Sequence, residues 1–194
     1  METVETHPFE PFVPDNPQIL VMGTFPPQPK RWSMEFYYPN WTNDFWRICG
    51  IIFYGDKNRF CDLSNKTFRL DEIKDFLCSH HIAMSDTGRE AVRLRDNASD
   101  KFLEIRKTIP IADFLRRYPT IHTLVTTGEK AAQTIAALTA TEAPRMGTFA
   151  EFTFDGRTLR HWRMPSTSRA YPSPLATKAA LYAKVLAPAS PHII

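Results

Sequence analysis

A chain of 194 residues, 43% hydrophobic and 12% aromatic, is long enough to bury one sizeable core. No Gly/Ser linker or charge run divides it, so a single domain over 1–194 is expected, with 1–16 as an irregular proline-bearing arm. The net charge of +3 is modest, no apolar run is long enough to cross a bilayer, and Met1 to Phe12 lacks the basic-then-apolar pattern of a secretory leader. Cys49, Cys61 and Cys78 show neither CxxC spacing nor a nearby His pair, which disfavours a disulfide framework, a zinc site or a four-cysteine cluster and leaves reduced thiols.

In chain order, Ile19 to Met22 is a short apolar run of the kind a buried strand needs, and Gly23 ends it. Thr42 or Asn43 is placed to cap a helix from Asp44 to about Phe53, with Phe45, Ile48, Cys49 and Ile52 on one face. Gly55 to Leu70 is polar and reads as a surface excursion. Asp71 to Cys78 reads as a short helix, and Ile82-Ala83-Met84 as a second strand running into Ser85-Asp86-Thr87-Gly88-Arg89. Residues 98–107 read as a helix through Phe102, Leu103 and Ile105, and 111–118 as another, stopped before Pro119.

Ile121 to Val125 is a third strand, and Thr126-Thr127-Gly128 leads into a helix from Glu129 to about Leu138. Phe149 to Phe154 and Thr158 to Trp162 alternate around Asp155-Gly156, a strong hairpin signal. The second arm feeds Met164-Pro165-Ser166-Thr167-Ser168, and a last helix covers about 175–186. Strands alternating with helices predict an α/β fold of three layers, α/β/α, around a mainly parallel sheet. In such sheets a site lies beyond the carboxyl ends of the strands. Four loops leave those ends, at 23–29, 85–89, 126–128 and 165–174, and are expected to share one rim.

Between the first strand and the first helix, Phe36 to Trp46 holds six aromatics, two primary amides and one carboxylate. Flat rings stack on planar heterocycles, amides read hydrogen-bonding edges, and an amide or carboxylate holds a water. After Asp155 there is no acidic side chain, while Arg157, Arg160, Arg163, Arg169, Lys178 and Lys184 follow. That balance suits an anionic partner such as a nucleic-acid backbone, and equally a solvated basic face.

Gly23-Thr24-Phe25-Pro26-Pro27 resembles the first motif of the uracil-DNA glycosylase superfamily. Tyr37-Tyr38-Pro39-Asn40-Trp41-Thr42-Asn43-Asp44-Phe45-Trp46 resembles, without a gap, the Tyr-Tyr-x-His-Pro-Arg-Asn-x-Phe-Trp pattern of its hypoxanthine-DNA glycosylase-like branch. Met164 to Ser168 is similar to that branch's Leu-Pro-Ser-Thr-Ser, and Lys178 follows at about the family distance. Ala98-Ser99-Asp100 and Val125 to Ala131 sit where the family has intermediate motifs. The likeness spans about 18–186. It departs at Asn40, Trp41 and Thr42, at Thr127 where the family often has Asn, and at Arg169 where Pro would follow. Tyr171-Pro172-Ser173-Pro174-Leu175 also resembles the His-Pro-Ser-Pro-Leu motif of classical uracil-DNA glycosylases, with Tyr for His.

The resemblance implies a monofunctional base-excision enzyme hydrolysing the N-glycosidic bond of uracil or hypoxanthine in DNA. It implies no metal or cofactor, a monomer as the working form, and a cytoplasmic, nucleoid-associated location. Asn43 aligns with the catalytic amide that positions a water, with Asp44 as the rival of greater base strength and helix capping as the plain alternative for Asn43. Gly23, Thr24, Phe25, Tyr38, Phe45 and Thr127 are the expected base-binding set. Phe25, in a loop, is the stronger stacking candidate, because Phe45 also fits a core face. Pro26, Ser166, Thr167, Ser168, Arg169 and Lys178 are the expected phosphate contacts, a solvated turn being the plain alternative for the serines and threonine. His161, inside a strand, is expected to be structural. Two other readings stay open: a non-catalytic nucleic-acid-binding module of the same fold, and an enzyme acting on a free nucleoside.

Overall fold

The computed structural model describes residues 3–94 and 102–187. Ten strands and five α-helices follow the order β1 Val4–Thr6, β2 Ile19–Gly23, α1 Phe45–Tyr54, β3 Cys61–Asp62, β4 Thr67–Phe68, α2 Leu70–Ser79, β5 Ile82–Asp86 and β6 Gly88–Arg93. Then come β7 Leu103–Thr108, α3 Ile111–Arg117, β8 Thr123–Thr127, α4 Glu129–Leu138, β9 Thr148–Phe154, β10 Arg157–Met164 and α5 Leu175–Leu186. A 3-10 turn, Pro29–Arg31, lies between β2 and α1. Among the described residues no helix is long and apolar enough to cross a membrane.

The central sheet runs β5-β2-β8-β10-β9, with the first four strands parallel and β9 antiparallel at the edge. Strand alternation divides its side chains between two cores. Val21, Met84, Val125 and Met164 face α1, α2 and α5, joining Phe45, Trp46, Ile48, Ile73, Leu77 and Tyr182. Leu20, Met22, Ala83, Leu124 and Leu159 face the other way, toward Ile111 and Leu115 of α3 and Ile135 of α4. Both faces are covered, which is why the parallel strands are near-continuous apolar runs, and the three expected layers are present.

Helix α1 is held by its aromatic face. Trp46, fully buried, donates its indole N–H to the Tyr37 carbonyl at 3.1 Å, so burial and a satisfied donor act together. The helix stops at Gly55, whose φ of 67° is the left-handed conformation glycine tolerates best, and the Gly55 N–H reaches the Ile51 carbonyl. The β9–β10 hairpin turns through Asp155 (φ 46°) and Gly156 (φ 77°), as the Asp-Gly pair predicts.

Several expectations need correction. Residues 102–107 do not form a helix: β7 occupies 103–108, and residues 98–101 lie outside the described residues. Leu103 and Ile105 alternate with Glu104 and Arg106, a period-two pattern in which the strand reading wins. The N-terminal arm is not wholly irregular, since β1 pairs antiparallel with β6, and Phe12 bridges Met84. Ser85 to Arg89 is not a loop but the end of β5, a single turning residue (Thr87) and the start of β6. The excursion after Gly55 contains the β3–β4 hairpin, and its Phe60 and Phe68 are buried. The third strand sits two residues later than expected, ending at Thr127. Cys49, Cys61 and Cys78 are free thiols.

Candidate functional site

The chain passes from β2 to β5 on one side and later to β8 on the other, so the sheet's topological switch lies at the carboxyl end of β2, at Gly23. The strand ends there are pinned by backbone bonds: Thr87 N–H donates to the Gly23 carbonyl and Gly88 N–H to the Thr24 carbonyl, both at 2.9 Å. A side-chain carbon on Gly23 would lie 2.7 Å from Asp86 Oδ1, 3.5 Å from the Tyr38 hydroxyl and 3.6 Å from Thr127 Oγ1. Glycine is required because three oxygens converge on that spot.

Tyr38 reaches the spot from a strained backbone. Its φ of 53° is unusual for an aromatic residue and costs on the order of 1–3 kcal/mol. Two contacts hold it: its ring stacks on Phe45 with centroids 4.2 Å apart at 18°, and its hydroxyl bonds Thr127 Oγ1 at 2.8 Å. Burial, then the nearby Asp86 carboxylate, push the Tyr38 phenol well above its usual pKa, so it stays a hydroxyl. Phe45 is buried, with one face covered by Tyr38, so it backs the expected base site instead of offering a bare stacking face.

Asn43 precedes α1. Its Oδ1 accepts the Phe45 N–H at 2.9 Å, its carbonyl accepts from Arg47, and its amide NH₂ has no partner among the described residues. Asp44 is buried and makes no side-chain cap. Its N–H donates to the Thr167 carbonyl at 2.9 Å, its Oδ2 receives Lys178 Nζ at 3.0 Å, and its Oδ1 lies 3.7 Å from Arg169. Lys178 Nζ also donates to the Ser168 carbonyl at 2.9 Å. The ammonium, 1% exposed, is spent on this clasp and is turned away from the phosphate contact expected of it. Thr167 is also buried, whereas Ser168 and Arg169 are exposed.

Beside the clasp runs a groove of about 1030 Å³, lined by Arg31, Asn40, Gly128, Arg163, Ser166 and Arg169 among others. Its walls join the turn after β2, the amide segment, the start of α4 and the loop after β10. Phe25 and Pro26 stand elsewhere. They line a second hollow of about 540 Å³ with Pro27, Trp32 and Arg93. Pro26 has no N–H, and its carbonyl accepts from Arg93 at 2.6 Å, so it offers a phosphate no donor. Thr24 is buried at the rim.

Two residues outside the expected set belong here. Asp86, at the end of β5, receives His7 Nε2–H on Oδ2 at 2.9 Å, while Oδ1 has no hydrogen-bond partner among the described residues. His7 is carried in by the N-terminal segment and packs edge-on against Phe25 at 5.2 Å. The signal available for Asp86 was its position in a rim segment; none pointed to His7. His161, by contrast, is buried in the sheet, donating to Thr126 Oγ1 at 3.0 Å, and burial lowers its pKa to about 4.

No family model matches the sequence, and no curated protein matches it. Among solved structures, the chain is similar to the solution NMR structure of a provisionally named uracil DNA glycosylase from Methanosarcina acetivorans. The two share 17% identity with a TM-score of 0.61, over 95% of this chain and 97% of the other. The fold is uracil-DNA-glycosylase-like. At that identity the likeness is one of architecture.

Proposed function

We propose that this chain is a DNA glycosylase that hydrolyses the N-glycosidic bond of a deaminated base, uracil or hypoxanthine. The observation that carries the reading is the union of two segments that lie 123 positions apart at Asp44 and Thr167. Asp44 ties the Asn43 turn to the Ser166–Arg169 loop through the Thr167 carbonyl and Lys178, beside a groove bearing Arg31, Arg163 and Arg169. A group that acts on the sugar and a loop that holds the flanking phosphates must keep a fixed spacing, and this clasp fixes it.

In the reaction the target nucleotide leaves the stack, and its phosphates lie in the groove against Arg31, Arg169 and the Ser168 hydroxyl. Asn43, its Oδ1 held by Phe45 N–H, presents its NH₂ to orient a water beneath the sugar. The water oxygen bonds to C1′ as the glycosidic bond breaks, the bond's electron pair leaves with the base, and the water proton passes to solvent or the departing base. An amide is no base, so the reaction relies on a leaving group that carries negative charge well. A lactam base such as uracil or hypoxanthine does so.

The same Asn43–Phe45 bond favours a second reading. An amide whose oxygen closes a turn is sufficient as a structural cap, and a non-catalytic DNA-binding protein of this fold would need nothing more. Alkali cleavage of labelled oligonucleotides carrying uracil, hypoxanthine, xanthine or a mismatched thymine separates the two. Strand scission at one deaminated base supports the glycosylase. Salt-sensitive binding with every oligonucleotide intact supports the binding module.

A further inference from the structure

The turn that carries Asn43 is held by one buried side chain with no part in the scheme above. Asn43 donates its N–H to the Asn40 carbonyl at 2.8 Å, and its Oδ1 accepts the Phe45 N–H at 2.9 Å. Its carbonyl precedes the helical bond from Ile48 N–H to the Asp44 carbonyl and so stands outside the α1 ladder. Arg47 fills that gap. Its Nη1 donates to the Asn43 carbonyl at 2.9 Å and to the Trp41 carbonyl at 2.8 Å. The NH₂ is then the one polar group of Asn43 left to act on something outside the described residues.

The guanidinium is itself braced. Its Cζ lies 4.4 Å from the centre of the Trp41 ring and 5.4 Å from that of Phe68, and Arg47 is only 8% exposed. The two rings pack with centroids 5.1 Å apart, and Phe68 is buried on β4. A planar cation packed against two rings keeps an orientation that a lysine ammonium on its flexible stem does not. Asn40 closes the turn within itself, its Oδ1 taking the Thr42 N–H and hydroxyl at 2.9 Å. Arg47 ties that turn to α1 and, through Phe68, to the β3–β4 hairpin.

We infer that Arg47 is a positioning residue for excision: braced by Trp41 and Phe68, it sets where the Asn43 NH₂ meets the water beneath the sugar. The inference rests on the glycosylase reading. It adds to it the β3–β4 hairpin, whose residues do not line the groove, as a support of the Asn43 amide. A displacement of about 1 Å at such a group costs roughly a hundredfold in rate, so a strut of this kind is felt in the chemical step.

The test is single-turnover excision of uracil and hypoxanthine from duplexes at saturating enzyme, paired with affinity for an abasic duplex. Arg47→Met keeps the apolar stem and removes both hydrogen bonds. It should lower the rate by roughly tenfold to a hundredfold while abasic affinity stays within about twofold. Arg47→Lys, which can still donate to one carbonyl, should recover part of that rate. In an Asn43→Ala background, where the amide is gone, Arg47→Met should cost no further rate, the coupling expected of a residue that acts through another. Phe68→Leu, which loosens the guanidinium without removing it, should show the same pattern at smaller size. If circular dichroism shows Arg47→Met unfolded, Phe68→Leu in the two backgrounds decides by the same comparison. An unchanged rate, an equal loss in both backgrounds, or abasic affinity falling in step with rate would overturn the inference and leave the glycosylase reading standing. Absence of any product from wild type would overturn both.

Discussion

Lys178 Nζ lies 3.0 Å from Asp44 Oδ2, so a buried ammonium on α5 meets a carboxylate at the start of α1. Breaking such a pair from one side strands the remaining charge in a dry site. Lys178→Met and Asp44→Asn should each destabilise the protein by about 3–5 kcal/mol. Combined in one chain, they should cost much less than their sum, because neither charge is then left alone. Urea unfolding of the three variants measures this, and strictly additive losses would show that the pair is not coupled.

Gly23 supplies a second expectation. A methyl there meets Asp86 Oδ1 at 2.7 Å, well inside contact distance. Gly23→Ala should displace the Asp86 carboxylate and reduce excision by roughly a hundredfold, with stability lowered by about 1–3 kcal/mol from overpacking. Far-ultraviolet circular dichroism should be unchanged, so that lost rate is read against an intact fold. Wild-type rates in Gly23→Ala would mean that the switch point is not where the base binds.

The Arg31 side chain makes no hydrogen bond or ion pair among the described residues and lines the basic groove, whereas Arg169 reaches toward Asp44. Arg31→Ala should therefore weaken binding to all duplexes alike and shrink the slope of log affinity against log salt by roughly 0.9, the value for one phosphate contact. Fluorescence anisotropy over a salt series provides the measurement. A sequence-selective loss or an unchanged slope would remove Arg31 from the phosphate path.

His161 gives a pH dependence unrelated to catalysis. Its pKa falls from the usual value near 6.5 to about 4 because burial penalises the cation. Between those values the unfolded chain binds the proton and the folded one does not. The stability this provides is whole above pH 6.5 and is lost progressively as pH falls toward 4, by roughly 3 kcal/mol if His161 acts alone. His161→Gln should flatten that part of the stability profile. A profile identical to wild type would place the acid sensitivity elsewhere.

Much of the sheet was legible because its strands are buried on both faces, and the runs 19–22 and 82–84 carry an apolar signal that depends little on context. The Asp155-Gly156 hairpin was equally plain, since its turn chemistry is local. What stayed hidden depends on distant partners. His7 meets Asp86 across 79 positions, and prolines at 8, 11 and 14 gave the arm around it an irregular look. Lys178 reads as a surface charge until the fold places Asp44 against it. Tyr38 belongs to the expected base-binding set, yet its stack on Phe45 and bond to Thr127 emerge only once three elements converge.

The central claim is that Asn43 acts in breaking a glycosidic bond and does more than close the turn before α1. Single-turnover excision of uracil and hypoxanthine from duplex DNA, by wild type and Asn43→Ala, tests it most directly, with binding to an abasic duplex as the control. The account predicts abasic product from wild type, a rate at least about a hundredfold lower in Asn43→Ala, and near-equal abasic binding. Equal rates from the two proteins, or intact oligonucleotides from wild type despite tight binding, would contradict it.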